Sequence, residues 1–143
     1  MSLIQDFLAC DSFAVVGASS DRNKFGNKCL RKYMEKGLEV VPIHPKETTV
    51  EGLAVKQLKD LENPANIGVS IVTPPSVTVK VIEEAKSLGF THLWLQPGAE
   101  STEVVQKAND LGLELIYGGP CILVTLGNNP LKKMLVGKTC AIS

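Results

Sequence analysis

The sequence predicts an α/β fold in which helices cover both faces of a doubly wound, mostly parallel five-stranded sheet. Three observations predict it. Five short apolar runs with several β-branched residues recur along the 143 residues, and amphipathic stretches lie between them. The runs are apolar on both sides, as strands covered on two faces must be. A short motif rich in Gly, Pro or Ser follows the runs, where an open parallel sheet carries its ligand loops.

The opening residues group Leu3, Ile4, Phe7 and Leu8, which fits a leading helix packed outside the sheet. FAVVG at 13–17 is the first strand, LEVVPI at 38–43 the second and IGVSIV at 67–72 the third. THLWLQ at 91–96 and LELIYG at 113–118 complete the five. Residues 26–36 bring Cys29, Leu30, Tyr33 and Met34 onto one helix face and stop at Gly37, a suitable C-cap. Residues 76–88 gather Val77, Val81, Ile82 and Ala85 before Gly89, and residues 101–111 gather Val104, Val105, Ala108 and Leu111 before Gly112. The segment 44–66 is less regular, with TTVEGLAV reading as a short strand or turn and VKQLKDL as a short helix. No linker or repeat divides the chain. One Rossmann-like domain over 1–143 is expected, with its core over about 5–125 and a C-terminal tail over about 126–143.

Composition narrows the partners. Lys plus Arg and Asp plus Glu number 15 each, so the net charge is zero and no basic footprint for nucleic acid is present. Aromatics at 5% are too few for base-stacking platforms, which leaves a small molecule or a protein as partner. Cys10, Cys29, Cys121 and Cys140 form no C-x-x-C pair and the two histidines stand far apart, so no metal spacing emerges. No apolar run reaches the ~18 residues of a transmembrane helix, and MSLIQDFLAC lacks the features of a secretory signal. The thiols therefore read as reduced and the chain as cytoplasmic. Cys140-Ala-Ile-Ser143 has the form of a farnesylation box with Lys132, Lys133 and Lys138 upstream, although so short a pattern also arises by chance.

Chemistry is expected at the strand ends. The first loop runs Gly17-Ala18-Ser19-Ser20 and on to Lys24 and Gly26. Gly17 lets the chain turn tightly, the two serines add hydroxyl donors, Lys24 adds charge, and the next helix points its first N–H groups at an anion. The spacing is not G-x-G-x-x-G, and a plain strand-to-helix turn uses the same residue types. The second run ends in His44-Pro45-Lys46, with Glu47 only afterwards. An acidic residue here would suit the ribose of NAD; a cation favours a phosphate on the adenosine ribose, as in NADP or coenzyme A. An exposed turn is the alternative. Thr73-Pro74-Pro75 opens a helix, as prolines ordinarily do, and also makes a rigid wall against an adenine. Gln96-Pro97-Gly98-Ala99 places a glutamine where it can face the cleft, unless the turn serves only the backbone.

The series GASxDxxKxG, V-x-P-I-H-P, T-P-P and W-x-Q-P-G-A, followed by a Gly-Pro-Cys turn, resembles the small stand-alone CoA-binding proteins of the YccU type. Those are similar in turn to the N-terminal CoA-binding domain of the succinyl-CoA synthetase α subunit. The resemblance covers about residues 5–125 and implies coenzyme A or an acyl-CoA as ligand. It implies Gly17, Ser19, Ser20, Lys24 and Gly26 around the pyrophosphate, and Pro45 and Lys46 near the adenosine and its 3′-phosphate; His44, by its place before them, is a candidate second donor. Thr73, Pro74 and Pro75 would run along the nucleotide, and the loop of Gln96, Gly98 and Ala99 would lie toward the pantetheine. Gly119-Pro120-Cys121 looks like the GPNC turn of the synthetase without its Asn. Cys121 then either faces the CoA thiol or packs as a small residue.

No Ser-His-Asp set, carboxylate pair or metal cluster can be assembled from the sequence, and His92 opens an apolar strand as a structural residue would. A CoA-binding module without catalysis is the expectation. An NADP-dependent oxidoreductase and a protein-interaction domain with a decayed nucleotide site are the alternatives.

Overall fold

The computed structural model describes residues 3–119 and 121–127. Helix α1 (Leu3–Leu8) leads into strand β1 (Ser12–Val16), helix α2 (Phe25–Glu35) and strand β2 (Val40–Ile43). A hairpin of β3 (Thr49–Val50) and β4 (Leu53–Ala54) follows, then β5 (Ile67–Ile71), α3 (Pro75–Leu88) and β6 (His92–Leu95). The described chain closes with α4 (Thr102–Leu111), β7 (Leu115–Ile116) and α5 (Ile122–Gly127).

Five strands form one parallel sheet in the order β2-β1-β5-β6-β7. The chain steps outward from β1 to β2, then crosses back over β1 to reach β5. Strand order therefore reverses between β1 and β5, and the connections leaving those two strands part to leave a crevice at their carboxyl ends. The irregular segment 44–66 supplies the crossing. It holds the β3–β4 hairpin and two single-turn 3₁₀ helices, Leu58–Asp60 within the stretch expected as a short helix and Pro64–Asn66 after it. Pro64 and the left-handed Asn63 interrupt any longer helix there.

Alternation along the strands feeds two cores. Phe13 and Val15 of β1 meet Phe7, Leu30, Tyr33, Trp94 and Ile122 under α1, α2 and α5. Ala14 and Val16 meet Val69, Ile71, Ile82, Leu93 and Val104 under α3 and α4. Strand β5 turns only Gly68 and Ser70 toward the first core. A Cβ on Gly68 would come within 2.9 Å of the rings of Phe7 and Phe13, so a glycine lets that aromatic cluster close onto the sheet. Phe7 in turn meets Trp94 edge to face at 5.2 Å.

Three residues depart from the expected core faces. Leu3 is 41% exposed, Met34 38% and Val77 43%. Met34 lies in the last turn of α2. Val77 lies in the first turn of α3, above the sheet end, where the crevice opens. Among the described residues no helix is long and apolar enough to cross a membrane. Pro120 and the tail from residue 128 on, with Lys132, Lys133, Lys138 and the Cys140 box, lie outside the described residues.

Candidate functional site

A cleft of about 670 Å³ occupies the crevice between β1 and β5. Gly17 closes β1 at φ +96°, a left-handed conformation that an L side chain rarely adopts. Its N–H donates to the Ile43 carbonyl at 3.1 Å, which ties the loop to the end of β2. A side chain on Gly26 would collide with the Gly17 carbonyl, so the absent Cβ lets α2 begin directly against the loop. Helix α2 has no side-chain cap, and its first N–H groups are left for solvent or a ligand.

The cleft walls come from three strand ends. Gly17, Ser19, Lys24, Phe25 and Gly26 form one side. His44 and Pro45 after β2, with Gln57, form the second. Thr73, Pro74, Val77, Lys80, Val81 and Glu84 form the third, along α3. The His44 ring is held in place: its Nδ1 accepts the backbone N–H groups of Lys46 and Glu47, each at 3.0 Å. The ring proton then belongs on Nε2, the nitrogen available to donate. Thr73 lines the cleft with its hydroxyl already paired, its Oγ1 lying 2.8 Å from the Oγ1 of buried Thr78.

The family now follows from comparison with known proteins. The family described as the CoA binding domain matches residues 11–127. The chain belongs to this family. Its sheet is also that of solved relatives. A conserved hypothetical protein from Pyrococcus furiosus, 37% identical, superposes with a TM-score of 0.73 over 80% of this chain and 97% of that one. A hypothetical protein from Pyrococcus horikoshii gives 0.75 at 24% identity, over 90% and 89% of the two chains. A Thermus thermophilus protein gives 0.72 at 24% identity, over 91% and 99%. These last two show the shared fold. No curated protein matches.

Of the residues expected at the site, Gly17, Ser19, Lys24, Gly26, His44, Pro45, Thr73 and Pro74 line this CoA-family cleft. Seven others stand elsewhere. Ala18 is buried in the core beneath the loop. Ser20 faces outward and gives both its N–H and its hydroxyl to Glu47, each at 2.9 Å. Lys46 is exposed beyond the lining, and Pro75 is the first residue of α3. Gly98 is exposed in the turn after β6 at φ +99°. Half-buried Cys121 precedes α5, where its carbonyl accepts the Thr125 N–H at 2.9 Å.

The largest departure is Gln96, which does not face the cleft. It is fully buried, and its Oε1 accepts the Ile122 N–H at 2.9 Å, satisfying the start of α5. Its Nε2 reaches the Ser70 hydroxyl at 3.3 Å, and that hydroxyl pairs with the Tyr33 hydroxyl at 2.6 Å. Burial pushes the Tyr33 phenol well above its ordinary range, so this core cluster is uncharged.

The cleft residues not anticipated are Phe25, Gln57, the strand-end residues Val16, Ile43 and Val72, and the stripe Val77, Lys80, Val81 and Glu84. The stripe carries a readable signal, since the positions i, i+3, i+4 and i+7 share one helix face. Its valines had been assigned wholly to the core because valine at that spacing usually is core.

Proposed function

We propose that this chain binds coenzyme A or an acyl-CoA in the β1–β5 cleft and does so without turning it over. One observation carries the reading. In a member of the CoA binding domain family, the glycine-turned loop, the end of β2 and the start of α3 converge on a single cleft at the reversal of strand order. The pyrophosphate is assigned to Gly17, Ser19, Lys24 and the α2 N-terminus, where N–H groups and a cation meet an anion. The adenosine is assigned to the wall of Pro45, Pro74 and exposed Val77, and the 3′-phosphate to the turn of His44 and Lys46.

Binding without turnover is supported by how the cleft's ionisable groups are arranged. The Nδ1 of His44 is already committed to the backbone.

The test is a thermal-shift and calorimetric comparison of CoA, acetyl-CoA, dephospho-CoA, NAD and NADP. CoA at a hundredfold excess over its dissociation constant is expected to stabilise the fold by about 2.7 kcal/mol. A shift with NADP and none with millimolar CoA would overturn the assignment in favour of the reductase reading.

A further inference from the structure

We propose that the β3–β4 hairpin is a strap that sets the first loop for its ligand, with Glu51 as the positioning residue and Glu47 as a second anchor; this rests on the CoA reading of the cleft. Neither glutamate lines the cleft. Both nevertheless grip the loop that does.

Glu51 occupies an improbable position. It stands at φ +51° in the two-residue turn of the hairpin, followed by Gly52 at φ +81°. Two successive left-handed residues make the turn type that strongly favours Asn-Gly or Asp-Gly. A glutamate there carries local backbone strain, and such strain persists where the surroundings demand it. The side chain supplies the demand. Its Oε2 accepts from Asn27 Nδ2 at 3.0 Å and pairs with Arg22 Nε at 3.3 Å.

Asn27 passes the grip inward. It is fully buried in the first turn of α2, and the same Nδ2 donates to the Ser19 carbonyl at 2.8 Å. Its Oδ1 accepts from Arg31 Nε at 2.7 Å, and the Arg31 guanidinium also donates to the Arg22 carbonyl at 3.0 Å. Glu47 takes the Ser20 N–H and hydroxyl at 2.9 Å each. The loop is thus held at Ser19, Ser20 and Arg22 by groups outside the cleft lining, while Ser19 itself reaches the cleft. A loop ordered before the ligand arrives spares the ligand the ordering cost, so affinity depends on glutamates that do not line the site.

The experiment sets Glu51→Asn and Glu51→Gln against wild type. Asn suits the left-handed turn but is too short to make the same reach; Gln keeps the length and an acceptor for Asn27. Three readouts are taken: the thermal midpoint, CoA affinity by calorimetry, and amide exchange over residues 19–24 by mass spectrometry. For Glu51→Asn the midpoint is expected to hold or rise, CoA affinity to fall about three- to tenfold, and exchange over the loop to quicken. Glu51→Gln is expected to recover most of the affinity. CoA affinity of Glu51→Asn within about twofold of wild type overturns the strap. So does a parallel loss of midpoint and affinity, which would mark a merely structural residue. If wild type binds no CoA, the ligand reading fails separately, and loop exchange alone decides the strap: quickened exchange supports it and unchanged exchange overturns it.

Discussion

At the scale of one residue, the proposed reading makes Lys46 the side chain that separates adenine nucleotides. Every candidate ligand has a pyrophosphate, so the first loop cannot distinguish them. The cation after β2 is the proposed discriminator. Lys46 is exposed, its backbone N–H is fixed on His44, and it stands outside the cleft lining. A charged hydrogen bond contributes about 1.5–3 kcal/mol, and solvent reduces that for an exposed pair. Wild type is therefore expected to prefer CoA over dephospho-CoA by about tenfold or more in low salt, less as salt rises. Lys46→Ala should lose most of that preference and leave dephospho-CoA binding nearly unchanged. Equal binding of the two ligands by wild type, measured by calorimetry, would make Lys46 a solvated lysine with no part in recognition. Glu47 beside it has its carboxyl held below the ordinary range by the Ser20 N–H and then the Ser20 hydroxyl. A depressed carboxyl stabilises above its unfolded value, and that contribution is lost as pH falls through the folded value. Its grip on the loop is thus present at neutral pH and weakens only in acid.

Among the elements, α5 depends on a side chain from another layer. The N–H of Ile122 would be unpaired in the core without Gln96, which comes from the end of β6. Through Ser70 and Tyr33 the same cluster reaches β5 and α2, so four elements share one set of buried polar groups. A cluster like this stabilises only while complete. Gln96→Ala should cost about 2–4 kcal/mol by leaving the Ile122 N–H without its acceptor and taking one of two partners from the Ser70 hydroxyl. Urea unfolding measures it. A negligible stability change together with lost CoA affinity would show instead that Gln96 acts on the ligand.

For the molecule as a whole, Cys29 offers a probe of global opening. It is fully buried on the inner face of α2, and burial raises its thiol far above the ordinary range, so the folded chain presents no reactive thiolate there. Half-buried Cys10 and Cys121 should be alkylated first, with Cys29 following only when the domain unfolds. A ligand that binds only the folded state lowers the unfolded population by 1 + [L]/Kd, so CoA at a hundredfold excess should slow Cys29 labelling about a hundredfold. Mass spectrometry of the three sites follows this directly. Labelling of Cys29 that ignores CoA would mean that α2 opens locally, without release of the ligand.

What the sequence determined by itself was whatever local patterning expresses. Two-sided apolar runs marked the five strands. Gly89 and Gly112 marked the ends of α3 and α4, where both are left-handed. Strand-end motifs brought Gly17, Ser19, Lys24, His44 and Thr73 to the right edge of the sheet. Only the tertiary structure decided which way the side chains at that edge turn. Ser20 and Gln96 carry the right chemistry at the right strand ends, yet one is taken by Glu47 and the other by the start of α5. Their partners lie 27 and 26 residues away, on elements whose distance in space no local pattern encodes. Val77 is the converse case. Its spacing is that of a core residue, and it is exposed because strand order happens to reverse beneath it, a property of the topology rather than of the helix.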